Sequence, residues 1–441
     1  MIYRLLQIII NIGIHLYYRE IRINNAKNLE LITKKPTIII ANHPNTIMDA
    51  FVIGTICKSP VYFMTKATVF TSPLKLRLLK SIKMIPINRN FEKSTKGVDN
   101  RNSLSACFQL LKEGKTLGIF PEGTSFQERV LRPLQTGTAK IALETEQQND
   151  WKLGLQVITI GTYYAQPEKF RSDILINIDE PIHIGDFQAK FEEDKKATVN
   201  ELTEIFRKRL ENVLVTTETK EDERLIEEIF QILNTRYISS EIKGIQKEMN
   251  EMKDIKESFY LIKESFPERI NEIRRSVHTL NVRLGKLKIA PDFLDRKFRT
   301  LLFLRQILFS SLFLLFMTPI ALFGLIHNFF QYWLTDKIVL RISKDIEYYS
   351  SLAIVISAIL YPIVYTSFIL IISIWLPLHW WGTLIYIILM PTTGLFAFWY
   401  FKYLQHIRYK IHFLLLKIGK NRALQELLDE KAKIRSLLNL D

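Results

Sequence analysis

Between residues 30 and 190, short apolar runs ending at turn residues alternate with stretches whose apolar positions recur every three or four residues. The runs at 37–41, 61–65, 84–88, 116–120, 156–163 and 174–178 predict strands, and 102–113 and 138–146 predict helices. Such alternation predicts an α/β domain over 30–190 with a largely parallel sheet flanked by helices. Residues 191–300 change character: they are densely charged, and apolar positions such as Leu225, Ile226, Ile229, Phe230 and Leu233 mark amphipathic helices. A helical insert is expected there, as a solvated face or a partner surface.

Two later stretches lose their charges altogether. Residues 307–334 and 352–400 carry no Lys, Arg, Asp or Glu. A membrane-spanning helix needs about 20 apolar residues, so the second stretch accommodates two, at 352–376 and 380–400, turning at Pro377. Trp375, Trp380 and Trp381 at that turn suit the interfacial aromatic belt. Lys337, Arg341 and Lys344 precede the hairpin, and a basic tail over 402–441 follows it, so both outer ends are expected in the cytoplasm. The stretch 307–334 is basic on both sides; a re-entrant pair of half-helices broken near Pro319 reconciles it with that rule. At the other end, residues 1–29 open with an apolar run too short to span and without a small-residue cleavage signature. An interfacial or shallowly inserted helix is expected there.

Composition narrows the classes. The chain has 441 residues, 48% hydrophobic and 12% aromatic, which excludes a disordered protein. Cys57 and Cys107 are the only cysteines, too few for a disulfide scaffold and outside any Cys/His metal spacing. Sixty Lys and Arg against 45 Asp and Glu give a formal charge of +15. An excess of this size suits nucleic acid or an anionic membrane. The basic residues flank charge-free spans and form no aromatic-interleaved stripe, so the bilayer is the expected partner, not nucleic acid. Gly114-Lys115-Thr116 lacks the upstream glycine of a phosphate-binding P-loop, and no G-x-G-x-x-G occurs.

Candidate chemistry lies in three short motifs of the α/β part. A buried run reaches Asn42-His43-Pro44-Asn45-Thr46, followed by Asp49. This puts His43 on a strand-to-helix loop, with Asn45 and Thr46 able to cap the helix. His43 and Asp49 can meet only if the loop folds back; so paired, they form a general base steadied by a carboxylate. The structural alternative is a helix-terminal Asp beside an inert His. Arg89 closes the run Lys83-Met84-Ile85-Pro86-Ile87-Asn88-Arg89 and has the planar fork of donors that clamps phosphate. The third motif is Phe120-Pro121-Glu122-Gly123-Thr124-Ser125: Gly123 permits close anion approach, Thr124 and Ser125 add donors, and Glu122 demands a partner such as Arg89.

In order and spacing these motifs resemble the PlsC-like glycerolipid acyltransferase family, over residues 30–185. Lys66 and Gly137 also fall where that family has such residues. Five residues separate His43 from Asp49, where the common pattern has four; the yeast-type glycerol-3-phosphate/dihydroxyacetone-phosphate acyltransferases are similarly longer. Lys83 replaces the glycine that opens the second motif, and Val157-Ile158-Thr159-Ile160-Gly161 lacks the proline of the fourth.

The resemblance implies a membrane-bound O-acyltransferase that moves a fatty acyl group from acyl-CoA or acyl carrier protein to a hydroxyl of glycerol 3-phosphate or 1-acylglycerol 3-phosphate. It implies His43 as base and Asp49 as its orienter, with Arg89, Glu122, Gly123, Thr124, Lys66 and Asn42 at the substrate. No metal and no bound cofactor are implied. The alternatives are acylation of another lysophospholipid, or a non-enzymatic membrane lipid-binding or scaffold protein.

Overall fold

The computed structural model describes residues 2–33, 35–69, 72, 77, 79–87, 100–233, 244–294, 300–376, 379–419 and 421–440. The chain divides into two compact units: Met1–Lys220 with Ser343–Ile354, and Glu221–Ile342 with Val355–Asp441.

The first unit is α/β. Its strands are β1 (Tyr18–Asn24), β2 (Thr37–Ala41), β3 (Val61–Lys66), β4 (Met84–Ile87), β5 (Thr116–Ile119), β6 (Gln156–Tyr164), β7 (Ser172–Ile178) and β8 (Ile182–His183). They form one sheet in the order β1-β7-β6-β2-β5-β3-β4, with β8 on β6. All pairings are parallel except those of β6 with β7 and β8. Helices α1 (Ile2–Tyr17), α2 (Ile47–Ile56), α3 (Asn100–Lys112), α4 (Gly137–Gln147), α5 (Gln188–Glu193) and α6 (Lys195–Val213) accompany it. Every residue of β2 and β6 is buried, as continuous apolar runs covered on both faces require. Ile38, Ile40, Leu117 and Val157 pack with Ala139, Ala142 and Leu143 of α4 and with Leu202 and Phe206 of α6 in one core.

The α/β unit therefore runs past the expected boundary at 190: the apolar stripes of α5 and α6 close the sheet's core instead of opening a separate insert. Strands β1 and β8 were not predicted. In β1, Tyr-Arg-Glu-Ile-Arg-Ile-Asn carries three charges because the strand lies at a sheet edge and only partly buries its side chains. Helix α1 is 16 residues long and exposes Leu5, Ile8, Ile9, Ile12 and Leu16.

The second unit is helical: α7 (Lys220–Leu233), α8 (Ile245–Ser265), α9 (Pro267–Leu287), α10 (Thr300–Ile342), α11 (Tyr349–Trp375, whose residues up to Ile354 belong to the first unit), α12 (Trp380–Gly419) and α13 (Asn421–Leu437). Among the described residues, three stretches are long and apolar enough to cross a membrane: Leu301–Ile342, Ile346–Trp375 and Trp380–Gly419. The expected break near Pro319 is absent. Helix α10 runs 43 residues through the proline, about 64 Å at the standard rise. Proline removes the helix hydrogen bond to Leu315 O, and at the neighbouring carbonyl Thr318 Oγ1 (2.9 Å) and Tyr400 Oη (3.1 Å) both donate to Leu314 O. Close approach holds α10 to α12: a Cβ on Gly324 would stand 2.0 Å from Thr393 O. Polar ties add to it, with His327 Nε2 2.6 Å from Tyr386 Oη and Asn328 Nδ2 donating to Met390 O at 2.9 Å.

Candidate active site

Strand β2 pairs in parallel with both β5 and β6, so the loops leaving β2 and β5 emerge side by side at the carboxyl edge of the sheet. An open α/β sheet places its ligands there. His43 leaves β2, and the Phe120–Ser125 turn leaves β5.

The His43 loop folds back over the start of α2. His43 Nδ1 lies 2.9 Å from Asp49 Oδ2. Asp49 sits in the first turn of α2 and is fully buried, whereas the His43 side chain keeps 15% exposure. Burying a carboxylate is tolerable only when its lone pairs are filled, and here they are. Asn45 N donates to Asp49 Oδ2 at 2.8 Å, and Tyr164 Oη, at the end of β6, donates to Asp49 Oδ1 at 2.7 Å. Burial and the Asp49 charge push the Tyr164 phenol well above its ordinary pKa, so it stays a donor.

The imidazole is also held flat. It stacks on Phe120 with centroids 3.9 Å apart and planes 8° from parallel, and Phe120 stacks on Phe63 at 5.9 Å and 9°. Room for Phe63 comes from Gly118 opposite it in β5, where a Cβ would stand 2.5 Å from the Phe63 ring.

The two loops are tied together by backbone and side chain. Glu122 Oε1 accepts from His43 N at 3.2 Å and Oε2 from Arg132 N at 3.4 Å. Burial raises the Glu122 pKa, partly opposed by those two donors. Ser125 Oγ donates to His43 O at 2.7 Å and accepts from Thr46 N at 3.1 Å, and Phe126 N donates to His43 O at 3.2 Å. Gly123 has φ +74°, which explains the glycine, and its N–H closes the turn onto Phe120 O at 3.1 Å.

Thr46 is the strained residue of the site. Its φ of 43° and ψ of −119° belong to a turn position normally held by glycine, and Met48 N closes that turn onto Asn45 O at 2.9 Å. For a β-branched residue the strain is about 1–3 kcal/mol and persists only where the surroundings fix it. Thr46 makes no side-chain cap on α2; its Oγ1 donates instead to Glu347 O at 2.8 Å. Asn45, also expected as a cap, is buried and directs Nδ2 to Tyr18 Oη at 3.1 Å, while its Oδ1 accepts from Ser350 Oγ at 2.8 Å.

Of the other expected site residues, Asn42 is committed to β6: Nδ2 donates to Thr162 O (2.9 Å) and Oδ1 accepts from Thr162 N (2.8 Å). It thereby fixes the exit of β2. Lys66 is the last residue of β3, and Thr124 sits partly exposed in the Glu122 turn. Arg89, and with it the Arg89–Glu122 pairing, lies outside the described residues. Tyr164, Asn45, Phe120 and Ser350 were not among the expected site residues. Strand alternation ending at Tyr164 offered a weak signal for one of them; Ser350 offered none.

Residues 20–163 match the sequence model of the family described as "Acyltransferase". The chain is 27% identical over 237 residues to Glycerol-3-phosphate O-acyltransferase 1 of Saccharomyces cerevisiae, covering 52% of this chain and 30% of that one. It is 26% identical over 199 residues to a 1-acyl-sn-glycerol-3-phosphate acyltransferase of Bacillus subtilis, covering 44% and 89%. The alignment thus spans under a third of the yeast relative and most of the bacterial one. Among solved structures, the 1-acyl-sn-glycerophosphate acyltransferase PlsC from Thermotoga maritima aligns with a TM-score of 0.34 and 19% identity, over 47% of this chain and 79% of that chain.

Proposed function

The chain carries an acyltransferase-family domain over residues 20–163, and from that premise we propose that it is a membrane-bound O-acyltransferase. It transfers a fatty acyl group from an acyl thioester, acyl-CoA or acyl carrier protein, to a hydroxyl of glycerol 3-phosphate or 1-acylglycerol 3-phosphate. The observation that carries the reading is the His43–Asp49 pair, 2.9 Å apart, with the carboxylate buried and hydrogen-bonded on both oxygens. With Asp49 ionised, His43 keeps its proton on Nδ1, leaving the Nε2 lone pair to receive the acceptor's hydroxyl proton. The alkoxide oxygen attacks the thioester carbonyl, the C–O bond forms, the C–S bond breaks, and the imidazolium returns its proton to the departing thiolate. Asp49 stabilises the imidazolium in between, and the Phe120 face beneath the ring favours the same cation.

Glu122 holds the His43 loop through its backbone N–H. The resemblance gives Arg89 the role of phosphate clamp; Lys66 ends β3, and the turn of Gly123 and Thr124 leaves the parallel strand β5. The Gly123 amide is used within its turn, donating to Phe120 O. The names of the yeast and Bacillus relatives support an acceptor of the glycerol-phosphate class.

Attachment follows from the three apolar helices and from the exposed apolar side chains of α1. Basic residues on both outer flanks of the α11–α12 hairpin support a cytoplasmic face for the catalytic unit.

The deciding experiment uses the purified full-length protein with one acyl-CoA and compares glycerol 3-phosphate with 1-acylglycerol 3-phosphate, alongside His43→Ala. Product from one acceptor, lost in the folded variant, is the expected result. No product from either overturns the reading and returns the chain to a lipid-binding role, whereas full turnover by His43→Ala overturns His43 as the base.

A further inference from the structure

The segment Ser343–Ile354 follows the membrane-length stretch Leu301–Ile342 and takes in the start of the next one, Ile346–Trp375, yet it belongs to the α/β unit. It reaches the catalytic loop at two points. Ser350 Oγ donates to Asn45 Oδ1 at 2.8 Å, and Thr46 Oγ1 donates to Glu347 O at 2.8 Å. Ser350 is fully buried and Asn45 nearly so.

These two contacts bear on Asp49 directly. Asn45 N is one of the donors that fix Asp49 Oδ2, the oxygen facing His43 Nδ1. The Asn45 side chain is clamped between Ser350 and Tyr18. Thr46, the next residue, holds a backbone conformation it would not keep unaided, and Glu347 O and Ser125 Oγ are what its side chain and amide find there. Freed from both, the turn has reason to relax toward ordinary angles, and the Asn45 amide would then swing away from Asp49.

We propose that Ser350 and the Glu347 carbonyl are positioning elements of the active site: through Asn45 and Thr46 they set the orientation of Asp49 and so of His43. The chain that continues into α11 thus supplies a fixed wall of the catalytic loop as well as an anchor. The proposal rests on His43 acting as the base, as set out above.

The test uses full-length protein in detergent, with kcat and KM measured for acceptor and acyl-CoA. Ser350→Ala removes one hydroxyl from the start of a helix. It is expected to lower kcat about 10- to 100-fold, the size of effect that a small misplacement of a catalytic group produces, with both KM values within about twofold. Ser351→Ala is the control: its hydroxyl donates to Tyr348 O, at 3.0 Å, within its own segment, and activity should stay at the wild-type level. Thr46→Val keeps the shape without the hydroxyl and should fall like Ser350→Ala, and Thr46→Ser should restore turnover. Should Ser350→Ala fail to fold, the Thr46 pair decides: equal kcat in Val and Ser variants overturns the proposal. Wild-type kcat in Ser350→Ala beside an inactive His43→Ala overturns the positioning role and leaves the acyltransferase reading standing. A KM rise with kcat unchanged also overturns it, since that marks a substrate contact. Activity retained in His43→Ala removes His43 as the base and, with it, the positioning role.

Discussion

Replacing Asp49 with asparagine takes away a charge while leaving each hydrogen-bond partner a match. The Asn45 N–H points at Oδ2 from 2.8 Å, so an amide nitrogen there would face another donor; the new carbonyl oxygen must take that side. It then also faces His43 Nδ1, which keeps its proton, and the amide nitrogen turns to Tyr164 Oη, a hydroxyl that accepts as readily as it donates. The tautomer survives, and only the ionic stabilisation of the imidazolium is lost. At 2.9 Å and an effective dielectric of about 20, a full charge pair is worth about 6 kcal/mol. A proton about half transferred at the transition state makes that about 3 kcal/mol, or about 10²-fold in rate. Residual solvent contact at His43, 15% exposed, works to lessen it. The assay is initial-rate release of free thiol from acyl-CoA at saturating acceptor, with the folded state checked by thermal melting. A loss beyond about 10⁴-fold would mean that the ring has changed tautomer, and one under about tenfold that Asp49 does not stabilise the cation; either result refutes the argument.

Gly123→Ala forces a Cβ onto φ +74° and should destabilise the protein by about 1–2 kcal/mol, read as a lowered Tm together with weakened acceptor binding. Burial holds the Glu122 pKa above its ordinary 4.5, so its stabilising contribution is full below that value and is lost as pH rises through the raised one. Glu122→Gln should therefore flatten the fall of Tm over that window; an unchanged slope would assign the fall to other groups. Gly324→Val pushes a side chain into Thr393 O across the α10–α12 contact and should lower the detergent Tm, with an overpacking penalty of about 1–3 kcal/mol. An unaltered melt would mean that the two helices are not held by that approach.

Much of the α/β unit is legible in its sequence because buried parallel strands are written as uninterrupted apolar runs. Thr37–Ala41 is one, and its observed limits coincide with the predicted ones. The edge strand β1 escapes because its charges break the run, and α5 and α6 escape because amphipathic helices that cover a sheet read like any surface helix. The continuity of α10 through Pro319 is hidden for a different reason: proline chemistry alone argues for a break, and the packing of this turn against Tyr400, 82 positions on from Thr318, is not written in the local sequence. At the site, residue types and order single out His43, Asp49 and Glu122, because an acid directly after a buried strand is costly unless it is paired. What positions them is not local. Tyr164 meets Asp49 across 115 positions and Ser350 meets Asn45 across 305, and no pattern along the chain records such meetings. Nor does Thr46 advertise its strain, since its position calls for glycine.

The pile of flat rings behind the His43 imidazole has a bearing on how relatives of this chain should vary. Gly118 and Phe63 occupy one shared volume on neighbouring strands, and Phe63 backs Phe120, which backs the imidazole. Positions 118 and 63 should therefore drift as a couple: a homologue that acquires bulk at the first must shed it at the second, or surrender the platform on which its histidine rests.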